Sequence, residues 1–316
     1  MKNAYIREKI KKSCHHMPEK YKKLILSFTD HMADINLSAS TITGRCNGLK
    51  VFTYFLVAEG EKRIQDVDRS TVEKYRQSLV KKGLKESTVD GYFRSVKALY
   101  GYLEKHGMIF ENPFQKIVMH RPKMVMQDIL TPDEVNRFLA VIDSADAIGL
   151  RNRAMIETLY ATGVRREELL SLTIFDADTD NETLRVMGKG SKERVLPMGR
   201  HASKYIELYL KYGRRKILRD DIPDDENLLF VSSWANRKPA LDCHFFRPVC
   251  EKAKIRKHVT CHTFRRTCAT HMLQNGAHPL MVAEMLGHSS LKTLRQYLKI
   301  NITELQETHS KLKPGK

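Results

Sequence analysis

Four short stretches in the second half of this chain carry side chains able to handle a phosphate. In Ala161-Thr-Gly-Val-Arg165, a glycine precedes a predicted helix start, where the backbone turns sharply and presents N–H groups to an anion. A guanidinium placed there grips phosphate through two donors, although a surface Arg/Glu ladder reads the same way. In Val186-Met-Gly-Lys189-Gly, a lysine between two glycines marks a hairpin tip. Its ammonium can contact phosphate or donate a proton, and exposed β-turns also carry lysine with neither role. His262 and Arg265 stand three apart on one helix face and can point at one anionic centre; a hydrogen-bonded core histidine is the rival reading. Gly287 ends a predicted helix over about 278–286 and leaves His288 at its exposed end. Tyr297 follows nine residues later, one of twelve tyrosines, with nothing local to separate it from a half-buried aromatic.

Order and spacing narrow these readings. Arg165, Lys189, His262, Arg265, His288 and Tyr297, within ATGVR, VMGKGSKERVLP, HTFRRTCATH and MLGH, resemble the tyrosine recombinase (phage integrase) family. The likeness is greatest to its two-domain, Xer-type members and covers essentially the whole chain. Three flanking positions depart from the family pattern. Arg166 stands where small or aliphatic residues are common, Cys261 where proline is, and Arg266 where histidine is. The Gly-Val spacing favours Arg165 over Arg166 as the phosphate ligand.

The resemblance implies a fold and a mechanism. The fold is mainly α with a small antiparallel β-sheet, an N-terminal helical bundle and a catalytic domain together forming a clamp on DNA. The implied activity is site-specific DNA recombination, either integration and excision of a mobile element or resolution of the Xer kind. Tyr297 attacks the scissile phosphate and forms a 3′-phosphotyrosyl link. Arg165 and Arg265 bind the non-bridging oxygens, Lys189 protonates the leaving 5′-oxygen, His262 accepts or relays the tyrosine proton, and His288 hydrogen-bonds the phosphate. Glu168 is placed to brace the arginine-bearing helix. The covalent link conserves the bond energy, so no cofactor, ATP or metal is implied. The implied partner is double-stranded DNA at crossover sites, bound by a homotetramer on two duplexes. Rival readings are a type IB topoisomerase, a DNA-binding regulator without catalysis, and a metal-dependent nuclease. The last should cluster acidic residues with histidine, where this chain clusters basic ones.

The elements that must position these residues follow from periodicity. Residues 17–106 read as helices, with Tyr21, Leu24, Ile25, Phe28 and Met32 at helical spacing, then Leu49, Phe52, Leu56 and Val57. A third run covers about 69–82 and stops at Gly83, and Ser87 is the expected N-cap of a fourth. This is a small helical bundle, which the resemblance makes a core-binding, SAM-like domain over 17–106; its Arg45, Lys50, Lys81, Lys82, Lys85, Arg94 and Lys97 can face phosphates or form a solvated surface. No arm-type DNA-binding domain is expected before residue 17. Gly107, Pro113 and Pro122 make 107–130 a linker. A catalytic domain over 131–316 opens on the capping box Thr131-Pro-Asp-Glu134, with helices expected at 131–143, 147–161 and 165–171. Leu172–Met198 reads as three short strands, and the chain beyond about 201 as mostly helical apart from the apolar run Leu228–Val231. The tail (Ile302, Leu305, Leu312 with Lys311, Lys313 and Lys316) reads as a short amphipathic helix that packs on its own domain or, as the family resemblance implies, docks on a neighbouring subunit.

Composition agrees with a nucleic-acid partner. The chain has 316 residues and 55 Lys plus Arg against 37 Asp plus Glu, a net charge of +18. The excess is shared, +10 over residues 1–130 and +8 over the rest, which suits contact through two domains. Neither a membrane span nor an apolar signal core is evident, and the six cysteines are scattered, so reduced thiols in a bacterial or archaeal cytoplasm, near the nucleoid, are expected. Cys261 and Cys268 flank His262, and Cys243 precedes His244, but no CxxC pair or common zinc spacing is present.

Overall fold

The computed structural model describes residues 2–60, 63–115, 117, 128–188, 192–220, 223–224, 227–232, 237–239, 241 and 243–287. The chain divides into two compact units, Met1–Met124 and Val125–Lys316. Lys189, His288, Tyr297 and the tail lie outside the described residues.

In the first unit, apolar stripes at helical spacing fold five helices onto one core. These are α1 (Lys2–Ser13), α2 (Glu19–Asp34), α3 (Ala39–Ala58), α4 (Arg69–Lys81) and α5 (Glu86–Lys105). Tyr21, Ile25, Phe28 and Met32 of α2 are buried, as are Leu49, Phe52 and Leu56 of α3 and Phe93, Val96, Leu99 and Tyr100 of α5. Helix α1 adds Ile6 and Ile10 to the same core, ahead of Cys14 and Met17. Ser38 and Asp68 cap α3 and α4 by accepting from Thr41 and Thr71 N–H. Ser87 does not cap α5, contrary to expectation. Lys85 is already extended, and its carbonyl accepts from Thr88 and Val89, so the helix starts at Glu86 and Ser87 falls inside its first turn.

The second unit opens on the expected capping box. Thr131 accepts from Glu134 N–H, and the Glu134 carboxylate accepts from Thr131 N–H. Helix α6 (Pro132–Ala140) leads to α7 (Ala147–Thr162), then to α8 (Arg166–Leu169), a single turn where a longer helix was expected. Backbone pairing explains the shortening. Leu172 carbonyl accepts from Leu229 N–H, and Ile174 N–H donates to Asn227 carbonyl, which draws residues 172–174 out of the helix and against the buried run Leu228–Val231. A 3-10 turn, Ile174–Asp176, replaces the front of the expected β region. The sheet is therefore smaller: β1 (Ala177–Asp178), β2 (Thr183–Met187) and β3 (Glu193–Pro197), antiparallel in that order. Leu184 pairs with Leu196 and Met187 with Glu193, and the Leu184, Val186 and Leu196 side chains enter the core.

Helix α9 (Gly199–Leu208) widens into a π-helical turn, Tyr209–Arg214, and closes in α10 (Arg215–Ile217). Helices α11 (Cys243–Lys252), α12 (Cys261–Gln274) and α13 (Pro279–Met285) complete the unit. Phe138, Phe246 and Phe264 form an aromatic contact between α6, α11 and α12. Among the described residues no helix is long and apolar enough to cross a membrane.

Candidate phosphate site

Gly163 ends α7 in the left-handed region, with φ of 59°. A β-carbon at this point would lie 2.7 Å from Leu286 Cδ2, so both the backbone angle and the packing call for glycine. The chain turns there, buries Val164, and delivers Arg165 to the start of α8. Glu168 accepts from the Arg165 backbone N–H at 2.9 Å and from Arg165 Nη1 at 2.7 Å. Arg165 Nη2 donates to the Gly287 carbonyl at 3.0 Å. Its side chain retains 35% exposure, so one face stays open to a ligand.

Arg265 comes to the same place from α12. It is 4% exposed, and it donates through Nη1 to the Gly163 carbonyl and through Nη2 to the Leu286 carbonyl, each at 2.6 Å. Two guanidiniums are thus anchored on the consecutive carbonyls Leu286 and Gly287. The chain continues from there into His288. Arg166 points elsewhere, to the Leu241 carbonyl at 3.0 Å and Glu167 at 2.7 Å. The two neighbouring arginines therefore diverge.

His262 lies in the first turn of α12, which Thr260 caps. Partial loss of solvent around its ring, then the charges of Arg265, Arg266 and Arg165, hold its imidazole below the ordinary histidine range. An unprotonated histidine beside guanidiniums can accept a proton at neutral pH.

Two residues of the cluster were not singled out as site residues or were given a lesser part. Glu168 is 7% exposed on its side chain and bridges Arg165 to Arg194 of β3. Burial alone would raise its carboxyl. Hydrogen bonds from Arg194, then from Arg165, outweigh burial and hold it below the ordinary carboxylate range. Arg194 also donates to the Met285 carbonyl at 3.0 Å. Its signal in the sequence is the period of the strand: Leu196, two positions on, is buried, so Arg194 faces inward and requires an acidic partner.

The hairpin that carries Lys189 is described up to Gly188 and again from Lys192, where Gly188 N–H donates to the Lys192 carbonyl at 2.8 Å. In the first unit the basic candidates lie on or beside α3, α4 and α5. Arg45 is half-buried and Lys85 exposed. Lys50 donates to Ser13, Lys97 to the Gln115 carbonyl, and Arg94 stands 4.0 Å from Asp90. Lys81 and Lys82 are exposed at the end of α4. No group of three or more His, Cys, Asp or Glu that could hold a metal occurs among the described residues.

Residues 128–304 match the model of the phage integrase family, and residues 25–107 match that of the phage integrase N-terminal SAM-like domain. The tyrosine recombinase XerC of Oceanobacillus iheyensis is 31% identical over 279 residues, 88% of this chain and 92% of that protein. The tyrosine recombinase XerD of Listeria monocytogenes is 30% identical, over 88% of this chain and 94% of that one. Among solved structures, the Tn1549 transposon integrase in complex with circular intermediate DNA aligns with a TM-score of 0.71 at 22% identity, covering 92% of this chain and 98% of that one. The XerH site-specific recombinase bound to palindromic difH substrate gives 0.70 at 20% identity, covering 97% and 94%. These two likenesses bear on the fold, which they share across both units.

Proposed function

Because this chain belongs to the phage integrase family, as a site-specific DNA recombinase of the Xer type, we propose that its phosphate site works as follows. A duplex crossover site binds to the second unit with its scissile phosphate against Arg165 and Arg265. Each planar fork turns toward a non-bridging oxygen, where charge grows in the transition state. Tyr297 attacks phosphorus: its O–P bond forms, the bond to the 5′-oxygen breaks, and the product is a 3′-phosphotyrosyl ester. The phenol proton, ordinarily held up to a pKa of about 10, passes to neutral His262, while Lys189 gives a proton to the departing 5′-oxygen. His288 hydrogen-bonds the phosphate. A 5′-hydroxyl from another strand then attacks the ester and releases the tyrosine, so the bond count is conserved and no energy source is consumed.

The observation that carries this reading is the convergence of Arg165 and Arg265 on the Leu286 and Gly287 carbonyls. Strand exchange between two duplexes further requires four protomers, and we assign the active assembly as a homotetramer on DNA, in the cytoplasm. Arg45, Lys50, Lys85, Arg94 and Lys97 of the first unit contribute phosphate contacts along the duplex.

The test is a nicked suicide duplex carrying a site recovered from a random-sequence library by binding to this protein. The unsubstituted chain is expected to form a covalent protein–DNA adduct, and Tyr297→Phe none. An undiminished adduct from Tyr297→Phe would remove the assignment.

A further inference from the structure

The reaction just described leaves Arg194 without a part, although its guanidinium meets three segments that have one. Nη2 donates to Glu168 Oε2 at 2.7 Å, Nη1 to Glu168 Oε1 at 3.3 Å, and Nε to the Met285 carbonyl at 3.0 Å. Through Glu168 it is tied to both the backbone and the guanidinium of Arg165. Two glycines close on the same group. A β-carbon at Gly188 would lie 3.0 Å from Arg194 Nη1, and one at Gly287 would lie 3.2 Å from Arg194 Cζ and 3.5 Å from Arg165 Nη1. In the chain, Gly188 immediately precedes Lys189, and Gly287 immediately precedes His288.

The geometry points to Arg194 as a positioning residue. It fixes Gly188 and Gly287, the residues that immediately precede Lys189 and His288 in the chain, and it holds Arg165 through Glu168. The assignment rests on the strand-transfer reading above. The side chains of Arg194 and Glu168 retain 14% and 7% exposure, so the pair is largely withdrawn from solvent and keeps its geometry with little competition from water. Its donors are directed at Glu168 and Met285, so its action on phosphate is indirect. A fork of three donor nitrogens spans two carboxylate oxygens and a carbonyl at once, a geometry that a compact ammonium does not reproduce. Arg194→Lys is therefore no conservative change.

A residue that merely stabilised the unit would lower its melting temperature and leave each folded molecule with normal chemistry. A residue that places the leaving-group acid affects the chemical step in a recognisable way. When the bridging 5′-oxygen of the suicide duplex is replaced by sulfur, the thiolate departs with little need of a proton, so a misplaced Lys189 matters less. Arg194→Gln and Arg194→Lys are compared with the unsubstituted chain on both duplexes, with rates taken at saturating DNA per folded molecule. The expected loss is about 10²-fold on the oxygen duplex and no more than about tenfold on the sulfur duplex, with half-saturating DNA concentration within about threefold of the original. Running both variants keeps the comparison alive should one fail to fold. Equal losses on the two duplexes, a change confined to DNA affinity, or unchanged rates would each overturn the assignment. Absence of an adduct from the unsubstituted chain would instead overturn the strand-transfer reading on which it stands.

Discussion

Replacing Gly163 by alanine should disable the site from beneath. Two separate costs apply. The left-handed backbone, at φ 59°, costs a non-glycine residue about 1–2 kcal/mol. The added methyl would also sit 2.7 Å from Leu286 Cδ2 and 3.3 Å from Cys268 Sγ, and overpacking of this kind costs about 1–3 kcal/mol. Together they give about 2–5 kcal/mol. Gly199 separates the two effects, since it has φ 69° and nothing within 4 Å of its absent β-carbon. Gly199→Ala should therefore lose only the backbone share, about 1–2 kcal/mol. Urea unfolding followed by far-ultraviolet circular dichroism gives the stability loss of both variants. Because Gly163 also offers its carbonyl to Arg265 and contacts Leu286, whose carbonyl accepts from the same arginine, the alanine variant should form adduct more slowly even when fully folded. Equal stability losses at Gly163 and Gly199, together with an unchanged adduct rate, would refute the reasoning.

Glu168→Gln should destabilise the second unit by about 2–4 kcal/mol, because it leaves two guanidiniums facing a neutral amide; urea melts at pH 7 measure this. The folded carboxyl titrates below its unfolded value, so its stabilisation is complete above that value and drains away as pH falls through the folded one. The acid limb of a stability profile should flatten in the variant, and an unchanged limb would contradict the assignment. His262 is held below 6.5, so the acid limb of the adduct rate should fall below that pH, and Arg266→Gln should move it upward by removing one neighbouring charge. A rate profile without such movement would separate His262 from the proton transfer. Gly287→Ala combines φ 62° with an approach of 3.2 Å to Arg194 Cζ, and should reduce the adduct rate about 10²-fold or more at saturating DNA. A rate within about threefold of the original would argue that the segment's exit point is unimportant.

The helices of the first unit were legible because Tyr21, Ile25, Phe28 and Met32 repeat with the helical period and are all buried. Arg165, His262 and Arg265 were legible from the order of their motifs, and the structure brings the two arginines together. What escaped was non-local. The length of α8 is decided by pairing between residues 172–174 and 227–229, which no local pattern announces. The start of α5 depended on the backbone of Lys85 rather than on the serine two positions later. The π-helical turn Tyr209–Arg214 continues the apolar period of α9 and so reads as plain helix; its Arg214 is buried because it reaches the Leu228 carbonyl and Asp224. Arg194 sits among Lys192, Glu193 and Val195, a run that looks solvated until its inward neighbour Leu196 is considered.

Two acceptors that hold Arg265, and one of those that hold Arg165, are main-chain oxygens of Gly163, Leu286 and Gly287. A main-chain oxygen is present whatever side chain the codon specifies. Genetic drift can therefore change the residues around these anchors widely without deleting one. The vulnerability moves to backbone shape, and hence to Gly163 and Gly287, which set it. Loss-of-function lesions near the arginines should accordingly gather at these two small, chemically inert positions, beside neighbours that tolerate exchange.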